Sequence, residues 1–221
     1  MTSTSLVILI WTAVSIGFIH TLIGPDHYLP FIVISKARQW SLSKTLLLTF
    51  VCGIGHVLSS VLIGAIGIAL GTAVGKLELI ESVRGSIASD ALILFGLGYA
   101  IWGLWRARKG HGHRHLSGGE HINENSAKSI TFWTLFIVFV LGPCEPLIPI
   151  LMFPAVEHNW HGVFLVTLFF GITTIGTMCA IVFSAVKGLA TFRTALLEKY
   201  VHALAGGIIA ISGISIKLFG L

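Results

Sequence analysis

The sequence predicts an all-α polytopic membrane protein, with six transmembrane helices arranged as two inverted three-helix repeats and the first and fourth helices broken at Gly-Pro. Three observations predict it. The 221 residues are 55% hydrophobic and only 10% charged, with a mean hydropathy of +0.92, whereas a soluble chain carries roughly 25% charged residues. Six apolar runs fit at about 20 residues per crossing and use up most of the length. A Gly-Pro interruption followed by polar residues recurs in each half. Little is left for a soluble catalytic domain, and no nucleotide loop or nucleophile triad stands out, so the chain is not expected to be an enzyme.

The first apolar run, residues 5–35, would reach roughly 46 Å as one helix, against a hydrocarbon core of ~30 Å. Gly24-Pro25 lies inside it. The run therefore reads as a helix that breaks there and restarts at Asp26 and His27, just after a proline suited to a first helical turn. The remaining spans are expected over residues 44–73, 89–106, 130–154, 160–186 and 198–220. The N-terminus has no basic n-region and no small-residue cleavage site, so the first span reads as a helix of the mature protein. Cys52, Cys144 and Cys179 all fall in apolar runs, which argues against an extracellular disulfide framework.

Lys and Arg orient the spans. Lys36, Arg38 and Lys44 fall around the 1–2 loop, Arg106, Arg108, Lys109, Arg114 and Lys128 around the 3–4 loop, and Lys187, Arg193 and Lys199 around the 5–6 loop. Only Lys76, Arg84 and Lys217 fall on the opposite side. The positive-inside rule then puts those three loops in the cytoplasm and both termini away from it, in the cytoplasmic (inner) membrane. The net charge of +5 is accounted for by topology and does not point to nucleic acid.

The run Gly24-Pro25-Asp26-His27-Tyr28-Leu29-Pro30 has an echo at Gly142-Pro143-Cys144-Glu145-Pro146-Leu147-Ile148-Pro149, at an offset of 118 residues. The same offset takes Gly53 to Gly171, and an offset of 117 takes Gly96 and Gly103 to Gly213 and Gly220. The unit contains three spans, an odd number, so the second copy must cross the membrane upside down. Residues 1–106 form the first repeat, 107–129 a His-rich cytoplasmic loop and 130–221 the second repeat. Inverted repeats broken in matching places put a substrate site near the midplane, where the breaks meet.

Ionisable groups inside spans cost a few kcal/mol each even on lenient scales. The first half has His20, Asp26, His27 and His56, and the second has Cys144 and Glu145. His20 and His27 are seven apart and would share a face of a continuous helix. Each histidine alone could be a hydrogen-bonded core residue, Asp26 alone a helix cap, and Cys144 a small hydrophobe. Taken together, the mixed N/O/S set suits a borderline divalent transition metal better than Mg²⁺ or Ca²⁺. Glu145 could instead couple to protons. The glycines flanking His56, with Ser59 and Ser60 after it, form either a helix-packing stripe or the wall of a pathway. In the loop, His111, His113, His115 and His121 could collect metal ions or belong to a solvated basic linker.

The segment His20-Thr-Leu-Ile-Gly24-Pro25-Asp26-His27 resembles the His-Pro-x-x-Gly-x-Asp-His signature of hydrogenase/urease accessory permeases, with Thr21 in place of Pro. It also resembles the His-x4-Asp-His signature of nickel/cobalt transporters, with one extra residue. Gly55-His56 looks like a second motif of those transporters, and the His-rich loop is similar to that of their efflux branch. The Gly142–Pro149 run instead looks like the Pro-Cys-x-x-Pro motif of cytochrome c biogenesis thiol–disulfide transporters. The first resemblance implies metal-cation transport, with His20, Asp26, His27 and His56 as ligands.

The expectation is thus a secondary transporter of a divalent transition-metal cation through a midplane His/Asp/Glu site. Nickel or cobalt comes first and Zn²⁺ or Cu⁺ after them, with no tightly bound cofactor. Its partners would be the ion and the bilayer, with a homo-oligomer left open and no nucleic acid. Three alternatives stand beside it. A thiol–disulfide electron transporter needs a cysteine in each half, and the repeat register sets Asp26 opposite Cys144. Export of a sulfur-containing or other small anion wants a cation or helix N-terminal amides, and no Lys or Arg is expected at the membrane centre. An assembly role would leave the ionisable residues replaceable.

Overall fold

Within a bilayer each backbone N–H and C=O has to be satisfied inside the protein, so long apolar runs fold as helices. The computed structural model describes residues 2–71, 74–108, 124–144, 146–189 and 195–219, and among them the regular structure is entirely helical. Helix α1 (Ser3–Ile23) opens on Thr2, whose hydroxyl accepts from the Ser5 amide at 3.2 Å. The chain then makes one 3-10 turn over Pro25–His27 and restarts as α2 (Leu29–Arg38). There follow α3 (Leu42–Ala69), α4 (Val74–Arg108), α5 (Glu124–Leu141), α6 (Leu147–Val156), α7 (Trp160–Leu189) and α8 (Ala195–Phe219).

The chain is an integral membrane protein. Helices α1, α3, α4, α7 and α8 are each long and apolar enough to cross a membrane, while Phe132–Leu141 and α6 are shorter apolar helices. Side chains such as Trp11, Leu94 and Ile211 stand more than half exposed on the outside, far more apolar surface than a water-soluble monomer tolerates.

One boundary differs from expectation. The third span, expected over residues 89–106, is the C-terminal part of α4, which is 35 residues long and begins at Val74. Lys76, Glu78, Glu81 and Arg84 depress the local hydropathy there. The structure accommodates them because Glu81 and Arg84 pair with each other and Leu77 is buried against Gly67.

The two larger buried clusters among the described residues each contain one of the short helices after a break. Phe31 and Ile34 of α2 pack with Leu135, Phe139, Met178, Val182 and Ile209. Leu147 and Leu151 of α6 pack with Ala13, Val57, Cys144, Val166 and Phe170. Helix α4 lies along α8, antiparallel, with glycines where the backbones touch. A Cβ on Gly96 would run into the Ala210 amide, one on Gly103 into the Ala203 amide and one on Gly206 into the Ala100 amide. Small residues let backbones meet in this way where lipid offers no hydrophobic drive for association.

Candidate functional site at the two helix breaks

The first break forms because Pro25 has no N–H to continue the ladder of α1. The Gly24 amide still donates to the His20 carbonyl at 2.9 Å, closing the last turn, and the Tyr28 hydroxyl donates to the Leu22 carbonyl at 3.2 Å. The 3-10 turn then aims His27 inwards, where it is 2% exposed. His27 Nδ1 lies 3.1 Å from the Gly24 carbonyl oxygen and 3.1 Å from Asp26 Oδ1. With both acceptors at Nδ1, the proton sits on that nitrogen, and in the neutral ring Nε2 carries the lone pair. Gly24 is required by space, since a Cβ there would lie 2.6 Å from His27 Nδ1 and 2.9 Å from Asp26 Oδ1.

Three histidines converge at this point. The rings of His20 and His27 stand 4.8 Å apart and edge-on, and those of His27 and His56 stand 4.9 Å apart and edge-on. One ring nitrogen from each lies within 4.8 Å of those of the other two. His56, on α3, donates from Nδ1 to the Phe139 carbonyl oxygen of α5 at 3.2 Å, so the first break is tied to the helix that leads into the second.

The second break is held by residues that sequence reasoning missed as site residues. Helix α5 ends at Leu141 with carbonyls that have no intrahelical partner. Arg84 Nη2 donates to the Val140 and Gly142 carbonyls at 3.0 and 2.8 Å and to the Ser59 hydroxyl at 2.8 Å. The Cys144 amide, which leads towards α6, donates to Glu81 Oε2 at 3.1 Å and to the Ser60 hydroxyl at 3.2 Å. Arg84 and Glu81 form an ion pair between them. The cation thus meets the negative end of α5, the favourable sense for that helix dipole, and the carboxylate holds the Cys144 amide in the segment that leads to α6. The only available hint was the i,i+3 spacing of Glu81 and Arg84 in an otherwise apolar helix.

The expected site residues therefore divide. His20, His27 and His56 come together, and Asp26 orients His27 without joining the group of converging donors. Cys144 is a fully buried free thiol in the α6 cluster, outside the histidine group. Glu145, His111, His113, His115 and His121 lie outside the described residues. A cavity of about 10 Å³, bordered by Asp26, His56, Ser89, Gly142 and Pro143, joins the two breaks. That is about the size of one water molecule.

Residues 29–215 match the family described as the cytochrome C biogenesis protein transmembrane region. No curated protein and no solved structure matches the chain. The family match overturns the resemblance to nickel/cobalt transporters and the metal-cation transporter expected from it. His20, Asp26 and His27, which carried most of that resemblance, all precede the matched residues, whereas the Pro143-Cys144-Glu145-Pro146 run lies within them. Eight residues of motif against 187 of matched chain leave the metal-transport reading without support.

Proposed function

The chain belongs to the family of the cytochrome C biogenesis protein transmembrane region, and from that premise we propose that it carries thiol–disulfide reducing equivalents across the membrane, with Cys144 as the relay thiol. One observation carries the reading. Cys144 sits where the helix is interrupted between Pro143 and Pro146, and its amide is held by side chains of α3 and α4 rather than by a helical ladder.

The register leaves Cys144 without a cysteine opposite, since Asp26 stands there. The second sulfur in each step then comes from a reaction partner, a disulfide on one side of the membrane and a thiol on the other. The Cys144 thiolate attacks the disulfide, forming a mixed disulfide and expelling one partner thiolate, which takes up a proton. A thiolate from the reducing side then attacks the Cys144 sulfur, expelling the second partner thiolate, which also takes up a proton, and leaving Cys144 in a mixed disulfide with the donor. A second donor thiolate attacks the donor sulfur of that bond, closing the donor disulfide and releasing Cys144 as thiolate. Two electrons pass from the thiols to the disulfide, and Cys144 ends as it began.

The finer architecture belongs to the same proposal. Two inverted three-helix repeats are supported by the way the helices pair. Helix α3 packs on α7 and α4 on α8, while α1 against α7 is matched by α5 against α3. In this reading the protein sits in the cytoplasmic membrane with both termini outside the cytoplasm, works as a carrier and not as an enzyme, and needs no bound cofactor for the relay. Arg84 favours one second reading, movement of a small sulfur-containing anion, because it places a cation at the second break where none was expected. Its ion pair with Glu81 already neutralises that charge, which sets this reading behind the relay.

The test is covalent trapping. Purified protein incubated with oxidised glutathione should carry one glutathione by intact mass, mapped to Cys144, released by dithiothreitol and lost in Cys144→Ala. Modification at Cys52 or Cys179 with Cys144 left free would overturn the relay.

A further inference from the structure

We propose that His20, His27 and His56 form a buried binding site for one resident first-row transition-metal ion of the Zn²⁺ class. The proposal goes beyond the thiol relay and does not depend on it, since Cys144 is not among the converging donors.

The argument rests on where the ring nitrogens go. His27 and His56 each spend Nδ1 on a fixed acceptor, the Gly24 carbonyl and Asp26 for the one and the Phe139 carbonyl for the other. Metal-binding histidines are oriented by such acceptors, which fix the tautomer and leave the other nitrogen free to ligate. The Nε2 atoms of His20, His27 and His56 are all buried, and none has a hydrogen-bond partner. Burying a polar atom without a partner costs about 1–3 kcal/mol, and three in one place amount to a strong preference for something between them. In the neutral rings of His27 and His56 the Nε2 lone pairs face this point, and with a ring nitrogen of His20 beside them they call for a cation.

The donor chemistry narrows the class. Three neutral imidazoles suit zinc and its neighbours, while Mg²⁺ and Ca²⁺ require oxygen ligands. Asp26 lies behind His27 and offsets part of the ion's charge. Nitrogens around a tetrahedral zinc with bonds of about 2.0–2.1 Å stand roughly 3.4 Å apart. The present group, within 4.8 Å, therefore closes by up to about 1.4 Å on binding. The ion would bridge α1, the first break and α3, pinning the break in place.

The test uses the full chain with His111, His113, His115 and His121 replaced by Asn, so that the loop contributes no zinc. After loading with Zn²⁺ alone and dialysis against metal-free buffer, elemental analysis should find one zinc per chain, with a higher thermal midpoint than the metal-free protein. His27→Gln and His56→Gln should each retain less than a tenth of that zinc. His20→Gln, at the less buried edge, serves as the variant least exposed to folding defects, and Cys144→Ala should keep the full equivalent. X-ray absorption should show a first shell of imidazole nitrogens without sulfur. No zinc retained by the loop-substituted chain, or the full equivalent of zinc retained by His20→Gln, His27→Gln and His56→Gln alike, would overturn the site. Glutathione trapping at Cys144 reads the relay separately, so the failure of one proposal is distinguishable from the failure of the other.

Discussion

Arg84 of α4 donates to the carbonyl of Gly142 at 2.8 Å, which places a cation at the point where α5 stops. The same arginine pairs with Glu81, which is fully buried and accepts from the Cys144 amide. The interruption in the second half is therefore a built joint, with the end of α5 facing a cation, as its dipole favours, and the following segment held by the paired carboxylate.

Arg84→Met should be among the most damaging substitutions in the chain. It leaves the Glu81 carboxylate buried without its partner, a change that costs about 3–5 kcal/mol when one member of a buried pair is removed. Thermal unfolding in detergent should show a large loss for Arg84→Met and a partial recovery in the double variant Glu81→Gln/Arg84→Met. Simple additivity of the two single variants would show that the pair does not act as a unit.

The α4–α8 contact depends on absent side chains. Gly206→Val should lower the thermal midpoint sharply, because any Cβ there meets the Ala100 amide and the Gly96 carbonyl. Gly207→Ala and Gly98→Ala are the matched controls, since a Cβ at either meets nothing within 4 Å. Similar losses in all three variants would point to general helix sensitivity and away from a close backbone crossing.

At the first break, Asp26→Ala removes one of the two acceptors that fix the His27 tautomer. Loss of such an orienting partner typically lowers metal affinity about 10–100-fold, so zinc titration of the variant should show a weakening in that range with the stoichiometry unchanged. Gly24→Ala should do more harm than its size suggests, because the added methyl occupies space held by the His27 and Asp26 side chains. If Gly24→Ala binds zinc as the parent does, the tight packing at this turn does not control the site.

Much of this arrangement was legible in the chain itself, for identifiable reasons. Gly24-Pro25 and Gly142-Pro143 announce their breaks because proline removes a backbone donor wherever it occurs. The seven-residue spacing of His20 and His27 put them on one face, and the 3-10 turn left that relation intact. The start of α4 was hidden because hydropathy counts Glu81 and Arg84 as two charges, whereas in the fold they neutralise each other. Their role at the second break was hidden for the same reason, since it depends on α4 meeting α5, a contact no local pattern encodes. The transported-metal reading went astray at a different level. Histidine and aspartate in a membrane say that a polar site exists, and a short motif then assigned its purpose, which the match over residues 29–215 replaces.

Cysteine substitutions should separate the relay thiol from the packing ones. Cys52 is fully buried in the α2 cluster and Cys179 is half-buried on α7. Cys52→Ala and Cys179→Ala should therefore change stability by no more than about 1–2 kcal/mol, as small losses of core volume do, and leave electron transfer intact.

The most direct measurement is transfer across a sealed membrane. Liposomes containing the protein would enclose a membrane-impermeant disulfide reporter, with an impermeant thiol added outside. The account predicts reduction of the enclosed reporter by the parent protein and by Cys52→Ala/Cys179→Ala, and background rates with Cys144→Ala. Equal reduction with Cys144→Ala, or none with the parent protein, would contradict it.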